Sequence, residues 1–213
     1  MTSGLRNLRF RCTGCGNCCR DLRVPLTDAD VRRLTDATGR AASEFVAWLP
    51  TSEVDLIGEP GSLVLLDSHA GHALLVLAQR AGACVFLGSD QRCGVYSARP
   101  GNCRLYPFAA SYGSRGGLRR LRLLGGTECD HARDGHTDPH LLRSADEQRW
   151  AEHRSYLALV SRWNRAQRHR TLLGRRLLGA PEFLAFLGFP ALFAGPLARG
   201  DEAQAGRSAA RAE

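Results

Sequence analysis

Lysine is missing from this chain. All 29 basic residues are arginine, set against 21 acidic ones, for a formal charge of +8. With abundant Ala, Gly and Leu, this pattern reads as GC-rich codon usage, so arginine content alone is no argument for nucleic-acid binding. The arginine-rich stretch with Arg162, Arg165, Arg168, Arg170, Arg175 and Arg176 has neither aromatic interleaving nor a docking motif, and a solvated helix face is expected there. Long apolar runs are also missing. None approaches the ~18 uninterrupted residues of a membrane span, and Met1 to Phe10 is polar, without the apolar core of a secretory signal. A cytoplasmic location with no membrane partner is therefore expected. Dinucleotide-binding G-x-G-x-x-G, the P-loop, G-x-S-x-G and H-E-x-x-H are all absent. Nothing nominates a catalytic residue.

Cysteine, by contrast, is abundant: eight in 213 residues. In a reducing compartment, clustered thiols more often hold metal or do redox chemistry than form disulfides. Hydrophobic content is 44%, which allows a real core, and the length suits one domain or one domain with an extension. The first cluster is Cys12-x2-Cys15-x2-Cys18-Cys19. Serial CxxC turns aim several thiolates at one centre, and Gly14 and Gly16 supply the tight backbone. The run C-x2-C-x2-C resembles iron–sulfur ligation more than a zinc ribbon. Read as extended chain, the Cys18-Cys19 doublet would diverge and serve two centres, or one centre plus a spare thiol. The remaining cysteines are Cys84, Cys93, Cys103 and Cys129. Four plus four matches two tetrahedral zincs or two [4Fe–4S] clusters.

Around these cysteines, residues 10–20 read as a loop and Leu22 to Leu26 as a short extended piece. Thr27-Asp28-Ala29-Asp30 is a capping box opening a helix to about Thr38, stopped by Gly39. Ser43 to Trp48 reads as a second short helix closed by Pro50. Leu63 to Leu66 with Ala73 to Ala78, and Leu105 to Tyr112 with Leu118 to Leu124, read as two hairpins. Cys84 to Leu87 is strand-like. From Ser144 to about Leu178 the period is helical, with Trp150, Tyr156, Leu159 and Trp163 on one face.

Phe10-x-Cys12-x2-Cys15-x2-Cys18-Cys19 resembles the signature of the YkgJ-type cysteine-cluster family of zinc- or iron-chelating (CxxCxxCC) domains. A second signature follows in order: Cys84-Val85-Phe86-Leu87, Cys93-Gly94-Val95-Tyr96, and Arg99-Pro100-x2-Cys103-Arg104-x-Tyr106-Pro107-Phe108. The helix start Leu26-Thr27-x2-Asp30 is similar too. The resemblance spans about Phe10 to Cys129 and implies metal chelation through these cysteines. It also brings Arg99 and Arg104 in as motif residues beside the centre. Some relatives are called iron–sulfur oxidoreductases, and a related cysteine-rich domain occurs in flagellin lysine methylases. The family's last cysteine is often followed by Pro-Gly. Here Cys129-Asp130-His131 stands instead, and His131 enters as an alternative last ligand.

The expectation is an α+β fold. A small metal-organised domain of short strands, hairpins and helices would cover residues 8–135, with a helical extension over 140–195 and a disordered tail over 196–213. Its metal ligands would be Cys12, Cys15, Cys18, Cys19, Cys84, Cys93, Cys103 and Cys129. Arg99 and Arg104 would flank the cofactor. Arg11, Arg20 and Arg92, which also adjoin cysteines, would either offset thiolate charge or merely reflect codon bias. His69, His72, His136 and His140 are expected to be exposed loop residues, and Tyr96 and Pro107 to pack or turn. An iron–sulfur cluster is favoured over Zn2+, with electron transfer or a redox or modification enzyme as the role and an unnamed redox or protein partner. The alternative is a zinc-stabilised structural or interaction module. Eight thiolates binding two dipositive centres would lower the net charge from +8 to about +4.

Overall fold

The computed structural model describes residues 9–53, 60–67, 71–113, 118–124, 129–135 and 137–189. The tail expected from residue 196, His69 and His136, and the tips of both expected hairpins lie outside these residues. The fold is α+β. Strand β1 (Arg11–Cys12) and helix α1 (Cys18–Asp21) precede α2 (Asp28–Thr38). Next come β2 (Val46–Pro50), β3 (Val64–Leu65), β4 (His72–Leu77), β5 (Gln79–Arg80) and β6 (Ala83–Cys84). Helix α3 (Gly101–Leu105), β7 (Phe108–Tyr112), β8 (Leu118–Leu123), β9 (His131–Ala132), α4 (Pro139–Leu172) and α5 (Ala180–Phe186) complete the chain.

The capping box forms as the sequence implies. Thr27 Oγ1 accepts from Asp30 N at 3.2 Å, and Asp30 Oδ2 accepts from Thr27 N at 3.0 Å. Gly39 closes α2 in the left-handed conformation at φ 67°, which glycine adopts at no steric cost. Val31 and Leu34 of this helix are fully buried.

The span Ser43 to Trp48 is not a helix. A 3-10 turn over Ala42–Glu44 runs into strand β2, which pairs antiparallel with β4 from Val46↔Leu77 to Pro50↔Ala73. Val46 and Trp48 are strand formers, and a partner roughly thirty residues away decides the matter. Both hairpins occur. Strands β3 and β4 pair through Val64↔Ala73, and β7 and β8 from Phe108↔Leu123 to Tyr112↔Leu118. Leu105 belongs to α3 rather than to the second hairpin. The extended piece before α2 also joins β4: Leu26 N donates to Leu75 O at 3.0 Å, and Leu77 N donates to Val24 O at 2.8 Å.

Helix α4 begins at Pro139, five residues before the expected start, with the Asp138 carboxylate capping His140 N at 2.8 Å. Its buried face carries Tyr156, Val160 and Trp163, which share one core with Leu34, Phe45, Leu66, Leu75 and Phe183. Each such large side chain taken from water contributes about 1.5–3 kcal/mol. The helix also covers the β3 edge of the sheet. Asn164 Oδ1 accepts from Leu65 N at 2.7 Å, while Trp163 Nε1 and Gln167 Nε2 donate to Leu65 O at 2.8 and 3.1 Å. The buried amides of Asn164 and Gln167 thus have backbone partners, as burial demands. A smaller cluster of Phe108, Leu121 and Leu142 fastens the second hairpin to the start of α4. Arg162, Arg165, Arg168, Arg175 and Arg176 are exposed. Among the described residues no helix is long and apolar enough to cross a membrane.

Candidate metal centre

Local backbone chemistry brings the cysteines together. After Cys12, Gly14 and Gly16 sit at φ 73° and 74° and turn the chain back, so that α1 starts at Cys18. Gly16 is doubly constrained, because a Cβ there would lie 2.8 Å from the Gln91 carbonyl oxygen. The next group rests on a tight β5–β6 turn, whose central Ala81 and Gly82 both have positive φ, at 48° and 76°. This pattern fits a two-residue hairpin and delivers Cys84 at the end of β6. A second small loop follows. Leu87 bridges Cys93, Gly88 N donates to Arg92 O at 2.8 Å, and Gly94 N donates to Phe86 O at 2.8 Å. Cys93 is thereby held near Cys84. Cys103 rides on α3, whose Gly101 N donates to Asp30 Oδ1 at 2.9 Å. At the other end, β1 pairs with β9 in the register Cys12↔His131, and Thr13 Oγ1 donates to Asp130 O.

All eight cysteines are free thiols, and all eight line one cavity of about 890 Å³. The Cys19 thiol lies within hydrogen-bonding reach of Cys18, Cys84 and Cys93. The doublet therefore does not diverge as an extended chain would: both members sit in one helical turn, and both enter the same group. Hydrogen bonding from Cys19 draws Cys18 down to about 7 and Cys93 to about 6, and lowers Cys84, while Cys19 itself is raised by the same contacts. Backbone N–H groups add to this, with Phe86 N donating to Cys84 Sγ at 3.5 Å and Val95 donating to Cys93. Burial pushes the Cys103 thiol up to about 12, with the charge of Cys84 next in size. Burial, then Cys15 and Cys12, pushes Cys129 up to about 11. Among the described residues, no three His, Cys, Asp or Glu side chains close into a metal-holding geometry. The thiols are gathered neighbours rather than a formed ligand shell.

The two motif arginines behave differently. Arg99 favours the thiolate forms of Cys18, Cys93 and Cys103. Its guanidinium lies 3.8 Å from the Tyr96 ring centroid, and its Nε donates to Tyr96 O at 3.1 Å. Arg104 also lines the cavity, but its neighbours lie on the other side, in the ion pairs of Arg33 with Asp30 and Glu152. Burial, then Arg33, lowers its pKa, and its Nε is buried without a hydrogen-bond partner. Arg11 is committed to Asp134 at 2.8 Å, and Arg20 donates to Gly16 O and Gln91. His131 does not line the cavity, whereas Cys129 does. The His131 ring packs on Phe10 at 5.4 Å, with Nδ1 3.0 Å from Cys129 O. His72 and His140 lie away from the thiols, in β4 and at the start of α4.

Sequence reasoning assigned Tyr96 to packing. It is 55% exposed and lines the cavity as the platform under Arg99. Its place between two motif cysteines was the available signal. Gln91, whose carbonyl backs Gly16, gave no signal in the sequence.

Fold and site together define an α+β metal-chelating protein organised around thiols. The family described as "Putative zinc- or iron-chelating domain" (CxxCxxCC) matches residues 11–122, just over half the chain, and the protein belongs to that family. No curated protein and no solved structure matches the chain.

The double constraint at Gly16 has a measurable consequence. Gly82 has a similar positive φ but open space around it, so Gly82→Ala is expected to cost about 1 kcal/mol. Gly16→Ala must also push back a backbone carbonyl, and is expected to cost about 2–4 kcal/mol. Urea denaturation of both variants checks the difference.

Proposed function

We propose that this protein holds an iron–sulfur cluster and serves in electron transfer or as the redox component of a modification enzyme. The observation that carries this reading is the group Cys18, Cys19, Cys84 and Cys93, in which three thiols each lie within hydrogen-bonding reach of Cys19, with no histidine or carboxylate among them. An all-thiolate donor set is soft and suits iron–sulfur centres or zinc. The serial run Cys12-x2-Cys15-x2-Cys18, which meets this group at Cys18 and lines the same cavity, favours the former. The donor chemistry fits the group: backbone N–H groups point at Cys84 and Cys93, Leu22, Val24, Leu77 and Val95 make part of the wall apolar, and Arg99 faces the developing negative charge. These are the features that tune such a centre. When bound, a cluster would supply one-electron exchange. The chain's own part is to hold the thiolates, screen them from water and offset their charge. Free thiols of this kind fit a reducing, cytoplasmic setting, and a protein partner would approach the exposed Tyr96 side.

The test is anaerobic purification followed by a visible spectrum, with iron, zinc and acid-labile sulfide measured on the same sample. A brown protein with iron and sulfide near about four per centre is expected. A colourless protein carrying zinc would overturn the redox reading in favour of a zinc-stabilised module.

A further inference from the structure

The end of α4 stands out from the body of the fold. Thr171 through Arg176 are all exposed. A Cβ built at Gly174, which sits at φ 66°, would meet nothing within 4 Å. This tip carries two adjacent leucines, Leu172 at 84% exposure and Leu173 at 55%. A single leucine in water is ordinary, but an adjacent pair rimmed by charge is the pattern of a contact site. The rim is basic. From His153 to Pro181 there is no Asp or Glu, while seven arginines occur. Codon usage explains arginine in place of lysine. It does not explain a stretch this long without an acid in a chain that has 21 of them. Some of these arginines are engaged: Arg162 lies over the Phe186 ring, Arg170 Nε donates to Arg176 O, and Arg176 pairs with Asp67. Arg165, Arg168 and Arg175 are exposed and make no hydrogen bond or ion pair among the described residues.

We propose that this tip docks on an anionic lipid surface, with Leu172 and Leu173 entering the interface and Arg168, Arg175 and Arg176 meeting the headgroups. The lack of a spanning helix excludes passage through a bilayer, not contact with its surface. Charge complementarity selects anionic lipid, and the leucines select a membrane over nucleic acid. A nucleic acid would engage the guanidiniums yet leave both leucines against water and phosphate. The outward face of α4, through Arg154, Ser161, Arg165 and Arg168, is polar and exposed. The helix therefore does not lie flat as an amphipathic surface helix does, and it touches by its end. An apolar tip or a basic patch alone binds weakly, and the two together give a reversible attachment. The tip lies outside the residues 11–122 matched by the family. It is also at the far end of α4 from Leu142, which lines the thiol cavity. That length of helix separates the two by about 45 Å. Docking by the tip stands α4 up from the surface and keeps the cavity clear of lipid, whichever metal the thiols hold.

The experiment is sedimentation of the full chain, purified anaerobically, with vesicles of phosphatidylcholine alone or of three parts phosphatidylcholine to one part phosphatidylglycerol. Binding to the anionic vesicles is expected at low salt. It should be at least about tenfold weaker on phosphatidylcholine alone, and likewise on anionic vesicles in about 0.5 M salt. The double variant Leu172→Ser with Leu173→Ser leaves the charge unchanged and is expected to bind about tenfold more weakly. Arg168→Gln with Arg175→Gln is expected to lose at least about tenfold as well. Arg154→Gln, about 27 Å back along the helix from Leu172, is expected to bind as wild type does. All of these residues are exposed, so unchanged melting curves should show an intact fold. Equal binding to both kinds of vesicle, or no binding to the anionic ones, would overturn the proposal. So would binding that falls with the arginines but not with the leucines. Displacement from the vesicles by duplex RNA, at lower concentration than lipid, would assign the patch to nucleic acid instead.

Discussion

Cys19→Ser is expected to strip the metal from the Cys18–Cys84–Cys93 group and to lower the melting temperature towards that of chelator-treated wild type. Cys19 is the hub: its thiol reaches Cys18, Cys84 and Cys93 at once. A hydroxyl fills nearly the same space but is a hard, weakly acidic donor, so the loss is chemical rather than steric. The three segments that meet here, α1, the β5–β6 turn and the Leu87–Cys93 loop, are held mainly by short-range backbone bonds. Metal binding is therefore coupled to their folding, and in small metal-organised domains that coupling reaches about 10–16 kcal/mol. Metal analysis with differential scanning calorimetry checks it. A variant that retained both wild-type metal and wild-type melting would show that Cys19 is no ligand.

Asp30→Ala is expected to cost about 3–5 kcal/mol, the scale for breaking a buried charged network. The Asp30 carboxylate is 3% exposed and takes hydrogen bonds from Thr27 N, Thr27 Oγ1, Arg33 Nη1 and Gly101 N. It thus caps its own helix and also satisfies the first turn of α3, seventy-one residues away. Its partner Arg33 goes on to Glu152 of α4 at 2.5 Å. One side chain thereby fixes three helices, one of which carries Cys103. Asp30→Asn keeps the shape but turns one acceptor into a donor, and should cost about half as much. Urea denaturation gives the free energies. Faster alkylation of Cys103 in Asp30→Ala would show that α3 has come loose.

What could be read from the sequence follows the range of the interactions involved. The capping box at Thr27, the stop at Gly39 and the two hairpins depend on neighbours within a few residues, and their signals were plain. Ser43 to Trp48 was misread because its apolar part, Phe45 to Trp48, fits a helix or a strand equally until its partner, Ala73–Leu77, is known. The gathering of the cysteines was legible from their number and from the serial CxxC steps. Their grouping was not, because it depends on α1 being helical at the doublet and on two small loops closing around Leu87 and Cys93. Arg99 and Arg104 looked alike beside their cysteines, yet one faces the thiols and the other adjoins the Asp30–Arg33–Glu152 ion pairs. The second role of Asp30 left no trace in the sequence, since Gly101 offers it only a backbone N–H.

The way α4 covers the short strand β3 has a consequence for biosynthesis. Leu65 presents its N–H and carbonyl to Asn164, Trp163 and Gln167, roughly a hundred residues later in the chain. Until the ribosome has released that helix, the nascent sheet carries an open margin able to recruit strands from other chains. Truncation before Asn164 should therefore yield a protein that precipitates on expression, even with every cysteine in place.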